Sequence, residues 1–244
     1  SFSISGTTLV LKPSADFETK NSYSLRVSST DAGGLSVEKA FTISVTDVNE
    51  TPTNITLSNS SVAENVGPNA SIGTFSTTDP DVGQTFTYTL VSGTDDTDND
   101  AFTLTTAGAL TLKTAANFEA KPSYSIRVRS TDSGSPVQYF EKSFTISVTD
   151  VNETPTDISL SSTSIAENSG TNATVGTFST TDPDSGNTFT YALVSGTGST
   201  DNASFSISGT TLVLKPSADF ETKNSYSLRV SSTDAGGLSV EKAF

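Results

Sequence analysis

The 244-residue chain contains no Cys, no His, no Met and no Trp. Each absence removes a chemistry. Without Cys there is no disulfide staple and no thiolate nucleophile. Without His there is no imidazole base, no haem ligand and no ordinary zinc site. Charge is scarce and one-sided, with 13 basic residues against 27 acidic ones and a formal net charge of −14. Phosphate backbones would repel so acidic a chain, which argues against nucleic acid as a partner. No apolar run approaches the roughly 18 residues of a membrane helix. No signal peptide opens the chain, and the lack of Met even at position 1 marks an excerpt of something longer. Oxygen is what remains for metal chemistry, and carboxylates suit hard cations such as calcium.

Ser and Thr are plentiful, about a third of all residues, a bias towards strands and turns. Repetition then organises the chain. Asp-Val-Asn-Glu-Thr-Pro-Thr at 47–53 returns at 150–156, a shift of 103 positions. Ala-Glu-Asn at 63–65 and Thr-Asp-Pro-Asp at 78–81 return at the same shift, as 166–168 and 181–184. Residues 1–41 reappear letter for letter as 204–244. A fixed period means a tandem array. The expected division is the back part of one repeat (1–49), a complete repeat (50–152) and a third lacking its last strand (153–244).

Inside the complete repeat the apolar period is two. Tyr124, Ile126 and Val128 share one face while Ser125 and Arg127 take the other, and Phe144, Ile146 and Val148 alternate with small polar residues. Seven strands are expected, near 55–62, 71–78, 85–92, 101–105, 109–113, 123–131 and 138–149. The phase of Tyr23, Tyr124 and Tyr226 places them in the core with hydroxyls bonded to backbone. No segment has helical periodicity. Seven short alternating strands in about 100 residues match an all-β fold, a tandem of immunoglobulin-like Greek-key sandwiches.

The acidic residues gather at strand ends, which project from the poles of a sandwich. Glu64 follows the first strand, Asp79 and Asp81 the second, and Asp132 the sixth; Glu119 precedes the sixth, and Asp150 and Glu153 follow the last. Two like charges 4 Å apart repel by about 4 kcal/mol at an effective dielectric near 20. Such convergence therefore calls for a cation, and Ca²⁺ takes six to eight oxygens in forgiving geometry. Asn49 and Asn152 could add oxygen, and Pro52 and Pro155 stiffen the chain after each linker.

These residues resemble cadherin repeats, specifically the bacterial cadherin-like type. Asp-Val-Asn-Glu-Thr-Pro is similar to the family's linker Asp-x-Asn-Asp-Asn-x-Pro, and Ala-Glu-Asn to its Pro-Glu-Asn. Asp79-Pro80-Asp81 and Asp182-Pro183-Asp184 match Asp-x-Asp. Ala15-Asp16-Phe17-Glu18, Ala116-Asn117-Phe118-Glu119 and Ala218-Asp219-Phe220-Glu221 resemble Leu-Asp-Arg-Glu, and Ser-Thr-Asp ending at Asp31, Asp132 and Asp234 resembles Ala-x-Asp. The resemblance implies calcium at the junctions between repeats. A first set would comprise Asp16, Glu18, Asp47, Asn49, Glu50, Asp79, Asp81 and Asp132, with carbonyls of Val48 and Thr51. A second would comprise Glu64, Asn117, Glu119, Asp150, Asn152, Glu153, Asp182, Asp184 and Asp234, with carbonyls of Val151 and Thr154. The linker carries Glu-Thr where the family has Asp-Asn, and Asn117 stands in place of an acid, so two ions per junction are expected rather than three.

The function implied is a non-enzymatic, calcium-stiffened stalk or adhesin segment on the outside of a bacterial cell, mediating adhesion or matrix assembly. Its partners would be calcium ions, neighbouring repeats and other copies of itself. A carbohydrate-binding module for surface polysaccharide is the alternative, although no Trp supplies a stacking platform. A two-carboxylate glycosidase fits poorly, because the acid pairs recur in every repeat beside the linkers. The Asp95, Asp96, Asp98 and Asp100 run reads as a solvated loop, since the third repeat does not keep it.

Overall fold

The computed structural model describes residues 2–244, and contacts divide the chain into two compact bodies. The first runs to Ala116 and includes Ser123–Thr149; the second comprises Asn117–Pro122 and Asp150–Phe244.

In the first body, β1 (Phe2–Ser5) pairs with β2 (Thr8–Leu11), and β3 (Ser22–Thr30) with β4 (Ser36–Ser44), both antiparallel. The strands that follow are β5 (Asn54–Leu57), β6 (Ser61–Ala63), β7 (Ala70–Thr78) and β8 (Thr87–Leu90). After them come β9 (Phe102–Leu104), β10 (Ala109–Leu112), β11 (Ser123–Thr131) and β12 (Tyr139–Thr149). Residues 54–149 form two facing sheets, in the orders β5-β7-β10-β9 and β6-β12-β11-β8. Inward positions of both sheets make the core: Ile55, Leu110, Ile126, Val128 and Ile146 have no accessible surface. Each such side chain contributes about 1.5–3 kcal/mol. The alternation read from the sequence is the alternation of burial along β11.

The expected first strand, 55–62, is two strands. β5 pairs antiparallel with β7, whereas β6 runs parallel to β12 in the other sheet. Asn59 makes the crossing, its Nδ2 donating to the carbonyls of Ser61 at 2.7 Å and Ile72 at 2.9 Å. A Cβ on Gly73 would lie 2.9 Å from the Asn59 carbonyl, so the crossing also needs glycine opposite it. Side-chain bonding of this kind is invisible to a period-two pattern.

In the second body, β13 (Asp157–Leu160), β14 (Ala173–Thr181), β15 (Thr190–Leu193), β16 (Phe205–Ser208), β17 (Thr211–Leu214), β18 (Arg229–Thr233) and β19 (Ser239–Ala243) form sheets ordered β13-β14-β17-β16 and β15-β18-β19. Ile158, Phe178, Leu212, Leu214 and Val230 form its core. β19 is the beginning of the strand expected to be missing: it pairs with β18, and Phe244 exchanges two backbone bonds with Leu228.

Two further expectations are refined, the first only in depth and hydroxyl partner, since Tyr226 does pack against the core of the second body. The fully packed tyrosine is Tyr88, whose hydroxyl lies 3.0 Å from Thr77 Oγ1, itself 2.6 Å from the Ser130 hydroxyl. Tyr191, Thr180 and Ser232 repeat this arrangement. Tyr124 is half-buried, edge-on to Phe102 with ring centroids 5.5 Å apart, and Tyr23 and Tyr226 meet Phe2 and Phe205 the same way. The aspartate-rich loop is tied down rather than merely solvated. It holds a 3-10 turn at Asn99–Ala101, Asp98 accepts from the Ser125 amide at 2.8 Å, and Asp96 from the Gly93 amide at 3.0 Å. The equivalent Asp201 accepts from the Ser227 amide at 2.8 Å beside a second 3-10 turn, Asn202–Ser204.

Candidate metal centre

Each acid is placed by local backbone chemistry. Asp16 folds a turn about itself, Oδ1 accepting from the Thr19 amide and Oδ2 from the Thr19 hydroxyl, both at 2.9 Å. Those bonds hold its carboxyl below the ordinary range. Asp219 and Thr222 repeat the turn, and Asn117 does so with its amide oxygen, which accepts from Ala120 N–H at 2.6 Å. The turn requires an acceptor oxygen and not a charge, so Asn serves at 117. Its product is the placement of the following glutamate, Glu18 or Glu119.

The Asp-Pro-Asp segments act similarly. Asp81 N–H donates to Asp79 Oδ1 at 3.0 Å, and Asp184 N–H to Asp182 Oδ1 at 3.0 Å. The second aspartate then grips the linker: Asp81 Oδ2 accepts from the Glu50 amide at 2.8 Å, and Asp184 Oδ2 from the Glu153 amide at 2.7 Å.

In the first body the result is a convergence of four carboxylates. Glu18, Asp47, Glu50 and Asp81 each bring one oxygen to within 4.8 Å of all the others. In the second body Glu119, Glu153 and Asp184 do the same. Desolvation, followed by the charges of Glu18, Asp81 and Asp47, raises Glu50 above the ordinary carboxylate range. Burial raises Asp79 too, against the hydrogen bond from the Asp81 amide and with the charges of Asp81 and Asp132. Asp234 goes the other way: burial pushes it up, but hydrogen bonds from Asn152 and the Leu238 amide outweigh it.

Other expected ligands hold local structure or lie on the linkers. Asp132 and Asp234 are buried, at 6% exposure each, and hold the linker asparagines: Asn49 Nδ2 donates to Asp132 Oδ2 at 3.0 Å and Asn152 Nδ2 to Asp234 Oδ2 at 3.1 Å. Asp16 and Asn117 shape turns, and the Asp79 and Asp182 side chains stand one hydrogen bond behind Asp81 and Asp184. Glu64 is buried at the end of β6, where its amide donates to the Thr149 carbonyl at 3.1 Å. Val48, Thr51, Asp150, Val151 and Thr154 lie on exposed linker backbone outside regular strands.

Whether a cation fits is answered by the leftover oxygens. Asp79 Oδ2, Asp182 Oδ2 and Asp184 Oδ1 are buried and accept no hydrogen bond. An anionic oxygen removed from water and given no donor is costly, and a bound cation is one of its few remedies. With only oxygen donors, the set suits calcium and not zinc.

Residues that sequence reasoning passed over also contribute. Gln84 donates from Nε2 to Asn49 Oδ1, the Pro136 carbonyl accepts from Asn49 Nδ2 at 2.8 Å, and Gly134 leaves the room, since a Cβ there would sit 1.7 Å from Asn49 Oδ1. Gly236 has the same relation to Asn152. The available signal was position: Gln84 stands three residues after Asp81, and the glycines two after Asp132 and Asp234.

A family profile described as the cadherin domain matches residues 58–149. Protocadherin Fat 2 of Rattus norvegicus is 37% identical over 186 residues, covering 72% of this chain and 4% of that protein. The Mus musculus protein of the same name is 36% identical over 154 residues, covering 60% and 4%. The chain thus spans about 4% of the length of these relatives. Among solved structures, Protocadherin Gamma B7 extracellular cadherin domains 1–4 superpose with a TM-score of 0.70 at 23% identity, over 97% of this chain and 59% of theirs. Mouse clustered PcdhgC3 EC1-3 gives 0.69 at 19% identity, over 99% and 83%. At such identity these structures speak to the fold, the immunoglobulin-like sandwich. The relatives are animal protocadherins, and the expected bacterial subtype gains no support from them. Calcium binding is characteristic of cadherin domains, and catalysis is not among their activities. Residues 58–149 are a cadherin domain, and the chain belongs to the cadherin domain family.

Proposed function

We propose that the chain is a calcium-stiffened, extracellular adhesion segment made of three repeats, 1–49, 50–152 and 153–244. Calcium would be held in the first body by Glu18, Asp47, Glu50 and Asp81, with Asp79, Asp132 and Asn49 behind them. In the second body Glu119, Glu153 and Asp184 would hold it, with Asp182, Asp234 and Asn152 behind. Glu64, Asp16, Asn117 and Asp150 add charge or shape, and the carbonyls of Val48, Thr51, Val151 and Thr154 complete the oxygen shells. The bound ion supplies positive charge that converts mutual carboxylate repulsion into shared coordination and so stiffens the linkers.

The observation that carries this reading is the set of buried aspartate oxygens without donors beside convergent carboxylates. A carbohydrate-binding role has no comparable support, from the relatives or from any Trp platform. Isothermal titration of the chelator-stripped chain with CaCl₂ tests the reading. Saturable binding of more than one ion is expected, with Kd on the order of 10⁻⁴ to 10⁻³ M, as in extracellular modules. Absence of saturable binding at 10 mM calcium, roughly tenfold above that range, would refute it.

A further inference from the structure

The two acid sets differ at residue 84 and in the loop that carries Pro136, places that neither the acid pattern nor the linker motif includes. In the first body, Gly83, at φ +81°, turns the chain directly after Asp81-Val82 and delivers Gln84 to the linker. Gln84 Nε2 donates to Asn49 Oδ1. The linker amide is then held through all of its polar atoms, because both Nδ2 hydrogens are used, by Asp132 Oδ2 at 3.0 Å and by the Pro136 carbonyl at 2.8 Å. Two acceptors facing Nδ2 and one donor facing Oδ1 fix which way round the amide sits. Gly134 closes the cradle, since a side chain there would occupy the space of Asn49.

The second body has Asn187 where the first has Gln84, one methylene shorter. Its Nδ2 reaches Asp184 Oδ2, at 3.5 Å, and Asn152 is held through Asp234 at 3.1 Å. Residue 84 therefore ties its acid set to the linker, whereas residue 187 stays within the Asp-Pro-Asp turn. A second observation points in the same direction: Gln84 Oε1 is buried and accepts no hydrogen bond. A buried amide oxygen without a donor is rare and signals an ion or water not yet accounted for.

From this we propose that Gln84 is a positioning residue for the first cation set. It holds Asn49, and with it Asp47 and Glu50 on either side, in the binding arrangement before any ion arrives. The inference rests on the calcium reading above. Its consequence is a hierarchy: the first set loads at lower calcium than the second, because its linker needs no further ordering. Pre-organisation of this kind raises affinity by removing the ordering cost from binding, and removal of supporting contacts around metal ligands typically costs 10–100-fold in affinity.

The test is calcium titration of the full chain, wild type against Q84N, Q84L and D81N. Wild type should show two affinity classes, of which D81N, at a residue of the first cluster, removes the tighter. Q84N makes residue 84 the same as residue 187 and should weaken the tighter class about tenfold, leaving the weaker class in place. Q84L should do the same. Melting temperatures in EDTA should fall by no more than about 2–4 °C with either Gln84 substitution, the effect of one lost hydrogen bond. In the metal-free chain the Asn49 side-chain amide protons should exchange slowly in wild type and faster in Q84N, a readout that needs no calcium. A tighter class unmoved in Q84N and Q84L, or lost instead from the second set, overturns the role of Gln84. So does a large drop in metal-free melting temperature, which would make the residue a packing element. A wild-type chain that binds no calcium fails the underlying reading instead, so the two failures are distinct.

Discussion

Adding EDTA to the calcium-loaded chain should lower its melting temperature by about 5–11 °C for each stabilising site emptied. The estimate follows from linkage: calcium at a hundredfold excess over Kd stabilises the folded state by about 2.7 kcal/mol per site. One kcal/mol shifts the midpoint by about 2–4 °C in a chain of 150–250 residues. The direction follows from the geometry. Four carboxylate oxygens within 4.8 Å of one another resist folding unless something positive sits among them. The acids are few but concentrated, and their repulsion is local. Raising NaCl in EDTA should therefore recover only part of the loss, because screening acts weakly at separations far below the roughly 8 Å Debye length of physiological salt. Far-ultraviolet circular dichroism or calorimetry reads the shift. An EDTA melt superimposable on the calcium melt would show that the clusters hold no stabilising ion.

The substitution D81N should have opposite signs in the two conditions. Asn keeps an oxygen that can accept from the Glu50 amide, so the turn and the linker bond at 2.8 Å survive. What is lost is one negative charge from the cluster of Glu18, Asp47, Glu50 and Asp81. In calcium the loss should weaken binding about 100-fold and cost most of the ion's stabilisation. In EDTA the same loss relieves repulsion and should raise the melting temperature rather than lower it, by a small amount because the cluster is largely exposed to water. The Glu50 carboxyl in the same cluster is raised, first by desolvation and then by the charges of Glu18, Asp81 and Asp47. A structural aspartate with no ion to serve would instead destabilise in both conditions when replaced.

Much of this was legible from the residues alone. The sandwich followed from period-two alternation in segments such as Tyr124–Val128, because burial on one sheet face is what alternation encodes. The acid clusters followed from recurrence of Asp-Pro-Asp and of the linker at strand ends. What escaped was whatever depends on a side chain bonding out of pattern. Asn59 splits the first strand by bonding across the crossing, Asn99 and Asp98 pin a loop that reads as polar and loose, and Tyr88 is buried more deeply than Tyr124. At the candidate site, carboxylates announce themselves by charge. Gln84, Gly134 and Pro136 are ordinary loop residues until the fold sets them against Asn49.

The central claim is that a cation belongs among these carboxylates, and the direct test is a crystal structure of the chain grown in calcium. The account predicts anomalous density in the first body, with oxygens of Glu18, Asp47, Glu50 and Asp81 at about 2.3–2.6 Å from the ion. Ordered water in that space, or carboxylates turned away from one another at saturating calcium, would contradict it.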